Sequence, residues 1–93
     1  MMRIRSFQWD QENEDHVAEH GVAVVEVEEL ILFRKPLYQR GREGKYIAYG
    51  ATEEGRYLFV VFVFKGAERI RVISARDMTN REKRLYKKRK GVR

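Results

Sequence analysis

Arg69, Arg71 and Arg76 punctuate the run Arg69-Ile70-Arg71-Val72-Ile73-Ser74-Ala75-Arg76, and Lys45 and Lys65 stand at the ends of two other apolar runs. A guanidinium offers a fixed fork of donors that matches phosphate oxygens, and it stays charged at any relevant pH. Held rigidly on a sheet, such cations suit a phosphodiester and the pentavalent phosphorus formed when it is attacked. Cross-strand pairing with Glu43 or Glu68 is the competing use for the same side chains. His16 and His20 are four residues apart and could share a helix face, but a metal would need a third ligand that no other histidine supplies. The expectation is therefore no metal and no cofactor. His20, near a helix end, is either a carbonyl cap or a general acid or base, since imidazole titrates near neutrality. Tyr38, Tyr46, Tyr49 and Tyr57 alternate with basic residues, a pattern that stacks unpaired bases or simply packs a sheet. The sequence has no P-loop, GxSxG, HExxH or dinucleotide fingerprint, which leaves most enzyme classes without support.

The elements that must carry these residues follow from pattern. Asp10 is a good N-cap for a surface helix over about 11–20, with Val17 and Ala18 its available apolar contacts and Gly21 its stop. Val24, Val27, Leu30 and Ile31 fit a second helical stripe, although β-branched valines also suit a strand. Pro36-Leu37-Tyr38 reads as an edge strand, 39–44 as a flexible basic loop, and Lys45 to Ala51 as a strand ending in the hairpin turn 53–56. The run 57–64 is apolar on both faces and is expected at the centre of the sheet, covered on both sides. In the strand 69–76, Ile70 and Val72 point one way and Arg69 and Arg71 the other. Thr79-Asn80-Arg81-Glu82 forms a capping box for a last helix whose clearest apolar contact is Leu85. The expected architecture is α+β, with two N-terminal helices, an antiparallel sheet of about three to five strands and a C-terminal helix.

Ninety-three residues, 43% of them hydrophobic, suffice for one compact domain, taken as residues 1–93. Cysteine is absent, which removes disulfides and thiolate metal sites. No run approaches the roughly 18 apolar residues of a membrane span, and the opening Met1-Met2-Arg3-Ile4-Arg5 has no apolar leader, so a cytoplasmic protein is expected. The net charge of +6 is unevenly spread. Residues 1–33 hold two basic and eight acidic side chains, 34–75 nine and four, and 76–93 nine and two. A molecule acidic at one end and basic over the rest attracts polyanions to one face only.

Phe7-Gln8-Trp9-Asp10, His20-Gly21-Val22 and the strand 69–76 together resemble the BrnT toxin family, whose pattern runs F-x-W-D, K-H-G-V, a G-E-x-R stretch before a strand, and I-R-I-I-S-A-R. Its closing E-R/K-x-x-Y is similar to Glu82-Lys83-Arg84-Leu85-Tyr86, and the likeness runs from about residue 7 to 86. The resemblance implies a RelE-like fold and the toxin of a type II toxin–antitoxin pair. It implies metal-independent cleavage of RNA through the 2′-hydroxyl, growth arrest, and neutralisation by a small BrnA-like antitoxin, with DNA met only through the toxin–antitoxin complex. Lys45, Lys65, Arg71 and Arg76 are then the expected phosphate and transition-state binders, and His20 and Tyr49 candidates for proton transfer or positioning. Arg40, Arg42, Arg69, Lys83 and Lys87 are the expected RNA contacts. The sequence departs from the family pattern at four places: Glu19 for lysine, Ala23 for a serine N-cap, Lys45 for arginine, and Val63-Phe64-Lys65 for T-E-R. Lysine replaces a bidentate fork by a point charge. A non-catalytic basic module that binds nucleic acid or a partner is the alternative, and a structural subunit stable only with its partner a third. The geometry expected with the nuclease reading is convergence of Lys45, Arg71 and Arg76 on one pocket.

Overall fold

The computed structural model describes residues 2–91. Met1, Val92 and Arg93, included in the expected span 1–93, lie outside the described residues. The chain runs β1 (Ser6–Gln8), α1 (Gln11–Glu19), α2 (Val24–Phe33), β2 (Leu37–Arg40), β3 (Tyr46–Ala51), β4 (Tyr57–Gly66), β5 (Arg69–Asp77) and α3 (Asn80–Lys90). This is an α+β fold with the expected helix order. The five strands form one sheet in the order β1-β5-β4-β3-β2. It is mixed rather than purely antiparallel, because the residues before the first helix pair with β5 in parallel, Phe7 opposite Ile70.

α1 and α3 start where the sequence supplies a side-chain cap. Asp10 accepts from the Asn13 backbone N–H at 3.2 Å and Asn13 Oδ1 accepts from the Asp10 N–H at 2.8 Å, a reciprocal box. The Asn13 side chain is buried, and its amide donates to the carbonyls of Gln8 and Val72, which fixes α1 against β1 and β5. Val17 enters the core as expected, but Ala18 faces solvent. Ala23 gives α2 no side-chain acceptor, and only half a box remains, Glu26 Oε1 accepting from the Ala23 N–H at 3.0 Å. Val27, Leu30 and Ile31 resolve the helix-or-strand ambiguity by forming a buried helical stripe. It lies so close to β3 that a Cβ on Gly50 would meet Leu30 Cγ at 3.0 Å.

Even-numbered β4 residues Leu58, Val60 and Phe62 are fully buried with Ala48, Ile70, Val72 and Ala75, under α1 and α2. Odd-numbered residues of β3 and β4 face the other way. There the expectation of full cover fails. α3 packs across one end only, Tyr86 meeting the Tyr57 ring edge-on at 5.8 Å, and Ile47, Val61 and Val63 stay half-buried. On α3 the buried apolar residue is Tyr86, and Leu85, expected to be the main contact, is 51% exposed. A helix turn places neighbours about 100° apart, so burying Tyr86 swings Leu85 outward. Arg56, read from sequence as a turn residue, clamps the helical layer to the sheet. It reaches Asp77 at 2.8 Å, Glu26 at 2.9 Å and the Gly21 carbonyl at 2.8 Å.

Candidate active site

Arg71 and Arg76 are five residues apart, so simple alternation would send them to opposite faces of β5. The register shifts between Val61 and Phe62: Ser74 pairs with Val61 and Val72 with Phe62, leaving Ile73 as the extra residue of a bulge. The bulge returns Arg76 to the face away from the core. There Arg76, Phe59, Tyr49 and Leu37 form one row across four strands.

Along that row the side chains touch. The Arg76 guanidinium lies 3.8 Å from the Phe59 ring centroid, a close cation–π contact, and Tyr49 meets Phe59 edge-on at 5.4 Å. Arg76 also holds Glu82 bidentately, at 2.8 and 3.0 Å. Glu82 arrives because Thr79 caps α3. Thr79 Oγ1 accepts from the Glu82 N–H at 3.1 Å while Glu82 Oε1 accepts from the Thr79 N–H at 2.9 Å. The pair perturbs itself: the hydrogen bond to Arg76 lowers the Glu82 carboxyl below its usual range, and the bond to Glu82 raises Arg76 further. Burial pushes the Tyr49 phenol up, reinforced by the charge of Glu82 and opposed by Arg76 and Arg89. Tyr49 is therefore a protonated hydroxyl at neutral pH, a donor.

A cleft opens beside this row between α3 and the β2–β3 end of the sheet. Leu37, Tyr38, Gln39 and Tyr49 form its floor, and Glu82, Leu85, Tyr86 and Arg89 its helical wall. Those four helical residues sit at i, i+3, i+4 and i+7, one face of α3. Lys83 and Lys87 lie 5.4 and 5.2 Å from the centroid of the Tyr57 ring, so α3 turns further cations toward the same end of the sheet. The chemistry available is anion binding by two guanidiniums, hydrogen-bond donation by a phenol, and stacking on aromatic faces.

The other expected residues do not join it. Arg71 is opposite Val63, four residues along β4 from Phe59, roughly 13 Å away at the usual strand rise. It is committed to the start of α1, reaching Asp10 at 2.7 Å and Glu12 at 3.0 Å. That bond raises the Arg71 pKa and lowers that of Asp10. Lys45 precedes Tyr46, the partner of Phe62, and stands 3.8 Å from Glu43. Lys65 is exposed at the bulged end of β4, beyond Val63, and Arg69 is exposed at the start of β5. Arg40, 5.9 Å from the Tyr46 ring, and Arg42 are exposed around the β2–β3 loop. His20 is the exposed C-cap of α1, and its carbonyl, not its ring, is engaged, by Arg56 at 3.4 Å. The expected convergence of Lys45, Arg71 and Arg76 on a single pocket is thus corrected. Arg71 and Arg76 sit in separate rows of β5, Lys45 stands just before β3, and each is beside its own carboxylate. Arg89 and Glu82 line the cleft although the sequence reading names neither as a site residue, Glu82 entering it only as a cap and as part of the closing motif. The Glu82-Leu85-Tyr86-Arg89 spacing was the available signal.

Among the described residues no helix is long and apolar enough to cross a membrane. No curated protein sequence matches the chain. The crystal structure of the Brucella abortus ribonuclease toxin BrnT is similar in fold, with a TM-score of 0.62 at 20% identity over 86% of this chain and 100% of that one. The family model described as "Ribonuclease toxin, BrnT, of type II toxin-antitoxin system" matches residues 9–82, a span that takes in Arg76 and Glu82. A match over that much of the sequence, with the fold to go with it, makes this chain a member of the BrnT family of ribonuclease toxins of type II toxin–antitoxin systems.

Proposed function

We propose that the chain, acting as a single toxin domain, is a metal-independent endoribonuclease whose reaction centre is the cleft beside Arg76 and Tyr49. The 2′-hydroxyl of the RNA attacks the adjacent phosphorus and gives its proton to solvent water, and the departing 5′-oxygen takes a proton from solvent. The P–O5′ bond breaks, leaving a 2′,3′-cyclic phosphate and a 5′-hydroxyl end. Arg76 and Arg89 neutralise the charge that grows on the non-bridging oxygens, and the Tyr49 hydroxyl donates a hydrogen bond to the phosphate or the leaving oxygen. Glu82 is a positioning residue, because its bonds go to Arg76 and to the Thr79 cap. The observation that carries this reading is a cleft between α3 and the sheet with Tyr49 in its floor and, in its helical wall, Arg89 and the Glu82 that holds Arg76 at 2.8 and 3.0 Å.

Arg71 serves mainly to hold α1, while Lys45, Lys65, Arg40, Arg42, Arg69, Lys83 and Lys87 contact the RNA backbone outside the reaction centre. His20, the C-cap of α1 and outside the cleft, takes no part in proton transfer in this reading. Growth arrest follows from RNA loss in the cytoplasm. A small BrnA-like antitoxin neutralises the toxin, and DNA is met only through their complex. Purified protein should cut single-stranded RNA in EDTA and leave cyclic phosphate ends. Strict dependence on added divalent metal, or 5′-phosphate products, would contradict the mechanism. The carboxylate pairing of Arg71 and Arg76 favours a second reading, a non-catalytic basic module. Salt-sensitive RNA binding without any cleavage would select it.

A further inference from the structure

The cleft between α3 and the sheet contains more than phosphate chemistry uses. Leu85, 51% exposed, stands in its helical wall, and Leu37 lies in its floor. Neither side chain can neutralise charge or donate a proton. A large apolar side chain open to water inside a cleft that also holds convergent polar groups is the usual lining of a ligand site.

Gln39 shares that floor and carries the one carboxamide among the lining residues. It projects from the same side of β2 as Leu37, two residues along, roughly 7 Å from the Leu37–Tyr49 row at the usual strand rise. That is on the order of the span between a phosphate and the base it carries. Gln39 pairs with Ile47, and Ile47 with Val61, both half-buried, so the amide stands at the end of an apolar row. Gln39 itself is exposed, which leaves its carboxamide open to a ligand. A carboxamide sets a donor and an acceptor side by side. Adenine answers with the N6 amino group and N7, one donor and one acceptor, whereas the same edge of guanine offers two acceptors.

We infer that this end of the cleft is a base subsite, in which adenine of a nucleotide flanking the scissile phosphate lies between Leu37 and Leu85 and is read by Gln39. Bases taken out of a stack are held in this way, between apolar or aromatic side chains and against a hydrogen-bonding edge. The inference rests on the reaction centre proposed above, because a phosphate held at Tyr49 and Arg89 is what brings its base to Gln39. Gln39 is then the residue that sets base preference, and Leu85 is exposed because its partner is the RNA.

Binding of short oligodeoxynucleotides, which lack the attacking 2′-hydroxyl, tests the subsite without reference to cleavage. They are thymidine runs that differ only in a central A, G, C or T. The adenine oligomer should bind about tenfold more tightly than the other three. Gln39→Leu, which keeps the bulk and removes the amide, should bring it down to their level. Leu85→Ser should weaken binding of the adenine oligomer with an unchanged circular dichroism spectrum. Equal affinity for all four, preference for another base, or an adenine preference that survives Gln39→Leu would overturn the subsite. The two readings fail separately. Adenine selectivity lost in Gln39→Leu, in a protein that leaves unmodified RNA uncut, would refute the reaction and uphold the base site, while cleavage of RNA without base preference would do the reverse.

Discussion

At the scale of single residues, arginines of similar appearance in one strand have different tasks because their carboxylate neighbours differ. Arg71 bonds to Asp10, the N-cap of α1, so its charge is spent on holding a helix to the sheet. Arg76 bonds to Glu82 at the wall of a cleft, where a phosphate can compete for the guanidinium. Arg71→Ala should therefore lower the melting temperature while leaving the cleavage rate of the folded protein within about tenfold, because Arg71 is opposite Val63, four residues along β4 from the Phe59 row. Glu82 supplies a pH signature. Its folded-state carboxyl is lowered by Arg76, so the stability it contributes is full above its ordinary value of 4.5 and disappears as pH falls through the lower folded value. Melting temperature measured from pH 6 down to about pH 3 should fall less steeply in Glu82→Gln than in the parent. Identical profiles would show that the Arg76 pair contributes no pH-linked stability. Tyr49→Phe, which removes only the donor hydroxyl, should slow cleavage by about ten- to a hundredfold without altering RNA affinity.

The elements were legible in the sequence wherever a local rule governs them. Asp10 and Thr79 marked helix starts by hydrogen-bonding chemistry that needs no tertiary partner, Gly21 marked the end of α1 by the left-handed backbone that glycine adopts, and the apolar run 57–64 declared a central strand. What escaped were features fixed by pairing at a distance. The bulge at Ile73 exists only in the register of β5 against β4, and without it Arg76 would be counted onto the core face. The choice of Tyr86 over Leu85 as the buried residue of α3 depends on the Tyr57 ring beneath it. The expected single cationic pocket failed for the same reason, since spacing along a chain does not say which row of a sheet a residue joins. At this scale the capping box is the part to test. Thr79→Ala removes the acceptor for the Glu82 N–H, and should cost about 1 kcal/mol, or roughly 4–8 °C in melting temperature for a domain of this size. Cleavage should fall as well, because Glu82 then ceases to orient Arg76. A variant that melts lower but cuts at the parental rate would uncouple the cap from the site.

The whole molecule is a sheet with two dissimilar sides. α1 and α2 seal one face and carry seven of the fourteen acidic residues, while the other keeps half-buried apolar residues, the cleft and the basic α3. This division explains how a chain with eight acidic residues in its first 33 can still attract a polyanion, since the repulsive charge sits largely on the helical layer behind the sheet. RNA affinity should therefore fall with salt, with a log–log slope of about −2 to −3 if three or four phosphates are neutralised. A slope near zero would remove backbone contacts from the account. The claim on which the rest depends is that chemistry occurs at Arg76. Its most direct test is the single-turnover rate of RNA cleavage in EDTA by the parent, Arg76→Ala and Arg76→Lys, each verified as folded. Removal of the guanidinium should slow the reaction by about a hundredfold or more, with lysine restoring only part of it. Parental cleavage by folded Arg76→Ala would place the reaction elsewhere on the molecule.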